Sequence, residues 1–446
     1  MLSAADNEVL TRTGAGTPMG ELFRRFWVPV LLSQELPEPD GPPVRVKVMG
    51  EDLLAFRDTA GRVGVVEPHC PHRGANLFWG RNEEHGIRCA FHGWKFDVEG
   101  KCLDTPCVPA GANMKNTVRL KAYPVEERGE IVWAYMGPAE HRPPFPDIEF
   151  TMLPASKRFV SKKLQECNWA QACEGGLDTA HFSYLHMAVS KDEEEFNAAM
   201  ARSDASQQQQ RVKWLRDDGA PKFTIIAHDV GLVIGGARRA DPGNTYWRVS
   251  QFLMPNHGYT PNAFPGESYH GQTWVPIDDQ SCWIYCYTWN PERDVSEEER
   301  AKYRKGFAVH AEVDSRWVPL RNRGNDYLID RDEQKHRSFT GIVGVSEQDA
   351  AIQDSQGYVA DRTREHLGPT DVGVVRFRRT VLEAARGVAQ GAEPKAARLP
   401  HAYLVRCGGA VTPDEVPLSE VMTQRFGSPI GHPDPQQQET KHGHPA

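Results

Sequence analysis

The chain has 446 residues, 39% of them hydrophobic and 25% charged, with a net charge of −8. That length is too great for one ordinary core and predicts two domains, and the acidic balance argues against a nucleic-acid partner. No run approaches the roughly 18 apolar residues of a membrane span, so no membrane contact is expected.

The start, "MLSAADNEVLTRTG", is acidic and has no apolar stretch of the secretory kind. Nine cysteines, an odd count at ordinary density, suit thiols or metal ligands in a reducing cytoplasm better than a disulfide scaffold. Residues 1–40 read as an N-terminal helical segment around "MGELFRRFWVPVLL", broken by "PEPDGPP". From Val44 the pattern becomes short strands, "VRVKVMG", "EDLLAFRD" and "RVGVVEP", so residues 41–140 read as a small β domain. The Pro-rich "PAEHRPPFPD" marks a boundary. Residues 141–400 mix helical signals ("NWAQACEGGLDTAHFSYLH", "DVGVVRFRRTVLEAARGV") with strands ("KFTIIAH", "YWRVSQFLM", "CWIYCYTW"), the mark of an α+β domain. Residues 401–446 form a C-terminal extension whose polar, Pro-rich end predicts partial disorder.

The chemistry begins at "CPHRG" and "CAFHGW". Cys70 and His72, then sixteen residues, then Cys89 and His92 make two matched ligand pairs. Two Cys and two His commonly hold structural zinc, but zinc fingers place a helix around their histidines. Here each pair is a tight turn between strands and is followed by Gly, and each supplies one thiolate and one imidazole. That is the stoichiometry of a [2Fe–2S] cluster with two Cys on one iron and two His on the other. On these residues the chain resembles the Rieske proteins. The respiratory type adds a cysteine to each loop, but Ala75 and Phe91 stand there. The loops instead resemble those of ring-hydroxylating oxygenases, which implies that the cluster passes electrons onward to the second domain.

"NWAQACEGGLDTAHFSYLH" supplies a receiver. Asp178 and His181 are three apart and His186 follows, a helix-face spacing. Two histidines and a carboxylate on one face of an iron leave positions open for O2 and substrate. The same spacing occurs in Rieske oxygenases, and the resemblance implies His181 and His186 as ligands of a mononuclear Fe(II). It also implies a late carboxylate ligand, Asp349 in "VSEQDAAIQDSQGYVADR", with Asp354 as the rival. Ser346-x-x-Asp349 also has the shape of a capping box, in which Asp349 would serve only the helix. The resemblance makes Asp178 a bridge between His181 and a Rieske histidine, His92, of a neighbouring subunit. A homotrimer or stacked homohexamer is implied.

The opening segment, "GARRADPGNTYWRVSQFLMP" and "VADRTREHLGPTD" resemble the phthalate dioxygenase branch, whose oxygenase component has α subunits only. This implies an antiparallel sheet with helices, a helix-grip or START-like catalytic domain. It implies O2-dependent cis-dihydroxylation of an aromatic carboxylate such as a phthalate or benzoate. The alternatives are O-demethylation of a methoxylated aromatic acid, diaryl-ether cleavage, or, in another class, an electron-transfer protein with an inactive second domain. "GAGTPMG" lacks the strand context of a dinucleotide site, so electrons must come from a separate flavin/iron–sulfur reductase. An anionic substrate needs a cation, and Arg202 in "ARSDASQQQQR" and Arg238 and Arg239 in "GGARRADPG" are the candidates.

Overall fold

The computed structural model describes residues 1–109, 111–112, 114–189, 209–264 and 266–427. Two helices open the chain, α1 (Ala4–Thr11) and α2 (Pro18–Phe23). Each begins at a hydroxyl cap: Ser3 accepts from the Asp6 N–H and Thr17 from the Gly20 N–H. The helical reading of "MGELFRRFWVPVLL" holds only to Phe23. Trp27–Leu32 is a buried strand, β1, antiparallel to Ile131–Tyr135. Its Pro29 sits at a register shift, where a missing N–H breaks no ladder bond.

Strands β2 (Val44–Val48), β3 (Glu51–Arg57) and β4 (Val63–Val66) follow as the alternation predicts. The short β5 (Arg81–Glu83), β6 (Gly86–Arg88), β7 (Lys95–Phe96) and β8 (Cys102–Asp104) make a second four-stranded sheet. β9 (Ala122–Tyr123) completes the first, in order β2-β3-β4-β9. β10 (Val125–Arg128) and β11 (Ile131–Tyr135) close a three-stranded sheet with β1.

The larger sheet comprises β12 (Arg158–Gln165), β13 (Lys222–His228), β14 (Gly231–Arg239), β15 (Asn244–Leu253), β16 (His257–Tyr259), β17 (Tyr269–Pro276) and β18 (Cys282–Trp289). Its order is β12-β18-β17-β16-β15-β14-β13, and all its pairs are antiparallel. An eighth strand, β19 (Gly409–Pro413), pairs with β15. Residues 409–413 of the predicted extension therefore belong to this sheet, followed by a helix over Leu418–Phe426. The Pro-rich end from 428 onward lies outside the described residues.

Helices α3 (Trp169–Leu177), α4 (Val345–Ser355) and α5 (Val372–Ala389) lie together on one face of this sheet. Gly176 and Gly258 leave room for the ring of Trp274, which a Cβ at Gly176 would meet at 2.3 Å. α3 is locked by a buried acid. Both oxygens of Glu174 accept bonds from Arg362 (3.1 Å each) and Arg378 (2.8 and 3.0 Å). Arg362 also reaches Asn7 on α1, and Arg378 binds Glu365. Burial raises the Glu174 carboxyl, but the two guanidiniums outweigh it and hold it below its ordinary value.

Removing this acid leaves buried Arg362 without a carboxylate and takes one of the two from buried Arg378. Glu174→Ala should lower unfolding stability by about 3–5 kcal/mol, read by denaturant titration. Because the folded-state value is depressed, this contribution is complete above the ordinary carboxyl range and is lost as pH falls through the folded value. The gap between variant and parent should therefore narrow on acidification.

Candidate metal centres and substrate site

The two Cys/His loops are the same turn built twice. The Cys70 N–H bonds the Ala75 carbonyl (2.8 Å) and the Gly74 N–H bonds the Cys70 carbonyl (2.9 Å). The Cys89 N–H bonds the Trp94 carbonyl (2.8 Å) and the Gly93 N–H bonds the Cys89 carbonyl (2.9 Å). Gly74 and Gly93 close these turns at φ +71° and +77°, which explains the Gly four residues after each cysteine. The thiols of Cys70 and Cys89 are buried, and the rings of His72 and His92 lie half-exposed with centroids 4.6 Å apart. Trp94 stacks on His72 at 4.5 Å and 7°.

Burial, with Cys89 beside it, pushes the Cys70 thiol up to about 11. A thiolate there needs a cation, and two buried sulfurs with two outward imidazoles fit a [2Fe–2S] cluster. All nine cysteines are free.

The second centre is not one helix face. α3 stops at Leu177 and Asp178 caps it in extended conformation, its N–H bonding the Glu174 carbonyl. The Asp178 carboxylate then folds the chain into a tight turn. Oδ1 accepts from the Ala180 N–H (2.8 Å) and Oδ2 from the His181 N–H (3.1 Å). Oδ2 also takes the His181 ring at Nδ1 (2.9 Å). Burial raises the Asp178 carboxyl, but His181 and the backbone donors outweigh it, so it stays ionised.

His186 follows a short 3₁₀ turn, and its Nδ1 is held by Gln348 Oε1 at 2.6 Å. Both far nitrogens being fixed, the two Nε2 atoms face each other at 3.1 Å. Asp349 Oδ1 stands 3.4 Å from His181 Nε2 and 3.3 Å from His186 Nε2. Three donor atoms thus converge on one point, and the triangle fits a metal ion held by two imidazoles and one carboxylate.

The capping alternative for Asp349 fails. α4 begins at Val345 with Gly344 as its cap, and the Ser346 hydroxyl accepts from Lys163. Asp354 is turned away and takes the Tyr327 hydroxyl. Gln348 was missed in the sequence, although its place beside Asp349 on a helix was the available signal.

The arginine candidates separate by strand alternation. Arg238 points inward on β14 and is 1% exposed. Arg239 points outward, its side chain 84% exposed and 3.5 Å from Asp218. Arg202 lies outside the described residues. A second inward arginine, Arg248 on β15, went unnoticed because period-2 alternation does not say which face is the site. Both grip Thr179, between Asp178 and His181. The Arg238 Nη2 donates to its carbonyl (2.7 Å) and Arg248 Nε to its hydroxyl (3.0 Å).

Arg248 also lies 4.0 Å from the centroid of Phe182, whose ring touches both His181 and His186. Among the described residues no carboxylate pairs with either arginine, whose bonds go to Thr179, Tyr246 and Asn262, and Nε and Nη1 of Arg238 are buried without partners. Burial, with Arg248 next to it, pulls the Arg238 guanidinium down to about 10.

An oxygenase that pairs a [2Fe–2S] cluster with a separate single iron is the class of protein that these two centres define. The Rieske [2Fe-2S] domain family matches residues 26–124, and the family described as LigXa C-terminal domain like matches residues 134–417. The chain is 37% identical over 440 residues to the 3-chlorobenzoate-3,4-dioxygenase oxygenase subunit of Comamonas testosteroni, covering 96% of this chain and 99% of that one. It is 38% identical over 390 residues to the phthalate 4,5-dioxygenase oxygenase subunit of Pseudomonas putida, covering 86% of each. Among solved structures, NdmA of Pseudomonas putida CBB5 superposes with a TM-score of 0.59 at 15% identity, covering 90% of this chain and all of that one. Dicamba monooxygenase bound to dicamba gives 0.55 at 18%, covering 82% and 98%. These two show the shared fold. The chain belongs to the Rieske non-haem iron oxygenases, and with that family it takes a [2Fe–2S] cluster and a mononuclear iron.

Asp349→Asn should lower the mononuclear iron content severalfold, by metal analysis, while leaving the cluster's visible absorption intact. Asp354→Asn should retain both, because its partner is Tyr327. The opposite ranking would remove Asp349 from the centre.

Proposed function

We propose that this protein is the oxygenase component of a multicomponent system that dihydroxylates the ring of an aromatic carboxylate, a phthalate or a substituted benzoate. The observation that carries the reading is Arg238, a buried guanidinium with two unbonded nitrogens, beside Arg248 and bonded to Thr179 in the turn that carries Asp178 and His181. A buried cation without an acid is costly alone and becomes favourable when an anion supplies the missing bonds. The named activities of the chlorobenzoate and phthalate relatives are of the same chemical class. A second reading, O-demethylation of a methoxylated aromatic acid, is favoured by 32% identity over 405 residues to the 5,5'-dehydrodivanillate O-demethylase oxygenase subunit of a Sphingobium strain.

In this reading Cys70, His72, Cys89 and His92 hold the cluster, and His181, His186 and Asp349 hold the iron. When bound, the cluster supplies single electrons and the iron supplies the site at which O2 is reduced. The chain's part is positioning. Asp178 and Gln348 fix the imidazole tautomers so that both Nε2 atoms present lone pairs. Arg238 and Arg248 orient the substrate carboxylate, and Phe182 shields the histidines from water.

Asp178 keeps its bond to His181 while its side chain remains one-quarter exposed. A Rieske histidine of a neighbouring copy can therefore be offered the same carboxylate, and a ring of three chains is the arrangement we propose. Electrons come from a separate reductase. We further propose the division into a Rieske part over 41–140 and a catalytic part over 141–400, and a cytoplasmic location. Among the described residues no helix is long and apolar enough to cross a membrane.

The test is a panel of phthalates, benzoates and methoxybenzoates with a surrogate reductase, scored by product and O2 consumed. Ring cis-diols from the carboxylates support the first reading, and formaldehyde from the methoxy acids supports the second. Arg238→Met should raise KM for the acid about 10- to 100-fold, the loss of one or two charged hydrogen bonds, and leave the KM of the methyl ester nearly unchanged. Asp178→Asn should load both metals yet leave the reduced cluster unoxidised when O2 and substrate are added, read by single-turnover spectroscopy.

A further inference from the structure

A chain of buried polar groups crosses the same face of the sheet as the iron-facing residues. Ser161 Oγ on β12 bonds His310 Nδ1 at 2.7 Å. His310 Nε2 bonds Thr288 Oγ1 on β18 at 2.8 Å, and Thr288 Oγ1 bonds His270 Nδ1 on β17 at 2.7 Å. Thr288 and His270 are direct cross-strand partners, so their side chains share a face. His310 and Thr288 are 0% exposed, and the rings of Phe159 and Tyr303 pack on His310 at 4.9 and 5.1 Å.

The order of groups matters more than their burial. Burial pulls His270 down to about 4 and His310 far below its ordinary value, so both rings are neutral. A neutral imidazole has one N–H and one lone pair, and a hydroxyl has both donor and acceptor sites. The chain can thus be satisfied in two ways. In one, Ser161 donates to His310, His310 to Thr288 and Thr288 to His270. In the other, every bond is reversed. Passing from one to the other moves a proton from end to end with no net charge left behind.

Both ends lead somewhere. His270 is the second residue of β17 and lies three residues after Glu267, whose side chain is 42% exposed. Ser161 is half-buried and lies two residues from Lys163 on the same face of β12, about 6.5 Å along the strand. Lys163 donates to Ser346, which shares a helix face with Asp349 three residues on.

We propose that Ser161, His310, Thr288 and His270 are a proton relay into the catalytic face of this oxygenase. The inference rests on the dihydroxylase reading, in which one aromatic ring, one O2, two electrons and two protons become one cis-diol. The reductase supplies the electrons, and the relay carries the protons from solvent near Glu267.

Thr288→Val keeps the shape and cuts the relay in its middle, and Thr288→Ser restores the hydroxyl. In the cluster- and iron-loaded enzyme, Thr288→Val should leave metal content and cluster reduction unchanged. It should slow single-turnover product formation at least tenfold, enlarge the solvent deuterium effect and divert O2 to peroxide, and Thr288→Ser should recover all three. A readout free of turnover is exchange of the His310 ring N–H with D2O, followed by NMR of the 15N-histidine-labelled oxidised, substrate-free enzyme. It should slow at least tenfold in Thr288→Val. Should that variant fold poorly, Ser161→Ala cuts the relay at its half-buried end and should slow the same exchange. Wild-type exchange and wild-type single-turnover rate in either folded variant would overturn the relay. A parent enzyme that oxidises no aromatic acid but shows the exchange effect would remove the dihydroxylase reading and leave the proton path standing.

Discussion

Everything at the iron-facing site depends on the seating of helix α4 against helix α3 and strand β12. Asp349 comes from 163 residues beyond His186 in the sequence, yet its oxygen must stand beside two imidazole nitrogens. Three buried side chains set the seat. Gln353 accepts at its side-chain oxygen from Gln165 (2.7 Å), and Gln171 donates to the Gln353 carbonyl (3.0 Å) and to that of Gly357 (2.8 Å). Lys163 fastens Ser346 at the other end of the helix. Gly175 makes this possible, since a Cβ there would lie 2.0 Å from the Gln353 amide nitrogen. A helix held at both ends by buried polar bonds cannot slide by a fraction of a turn, and so the carboxylate is delivered in register.

The same frame couples the two recognition tasks. Arg238 and Arg248 belong to neighbouring strands of the sheet, while Asp178 and His181 belong to the turn after α3. Thr179 joins them, fully buried and bonded to both arginines. Gly236 leaves space for it, as a Cβ would meet the Thr179 methyl at 2.8 Å. The inward arginines and the turn that carries Asp178 and His181 are therefore one packed unit.

Much of this was legible in the residues alone. The paired Cys/His turns carried their own signature, because the ligand spacing and the following glycine are local requirements of one turn. The two histidines after α3 were equally visible. So was the α+β character of the second part, since strand and helix periods depend on near neighbours. Where local pattern misled, a neighbour in space had decided. "WVPVLL" continues a helical segment in sequence but becomes β1 because β11 offers it a ladder. The helix-face spacing of Asp178, His181 and His186 picks residues that the structure does bring together, but with the wrong local shape. The Asp178 side chain competes for backbone N–H groups and ends the helix.

The sequence by itself determined the ligand chemistry: which side chains can bind iron, and in what pairs. That is so because thiolate, imidazole and carboxylate are properties of single residues and short turns. Only the tertiary structure brings Asp349 rather than Asp354 beside the two histidines, turns Arg238 rather than Arg239 inward, and adds Gln348 and Arg248 to that face. Each of those choices turns on which face of a helix or strand looks at the histidines. Facing is set by long-range packing, by Gln353 on Gly175, Lys163 on Ser346 and Tyr327 on Asp354, and no local spacing encodes it.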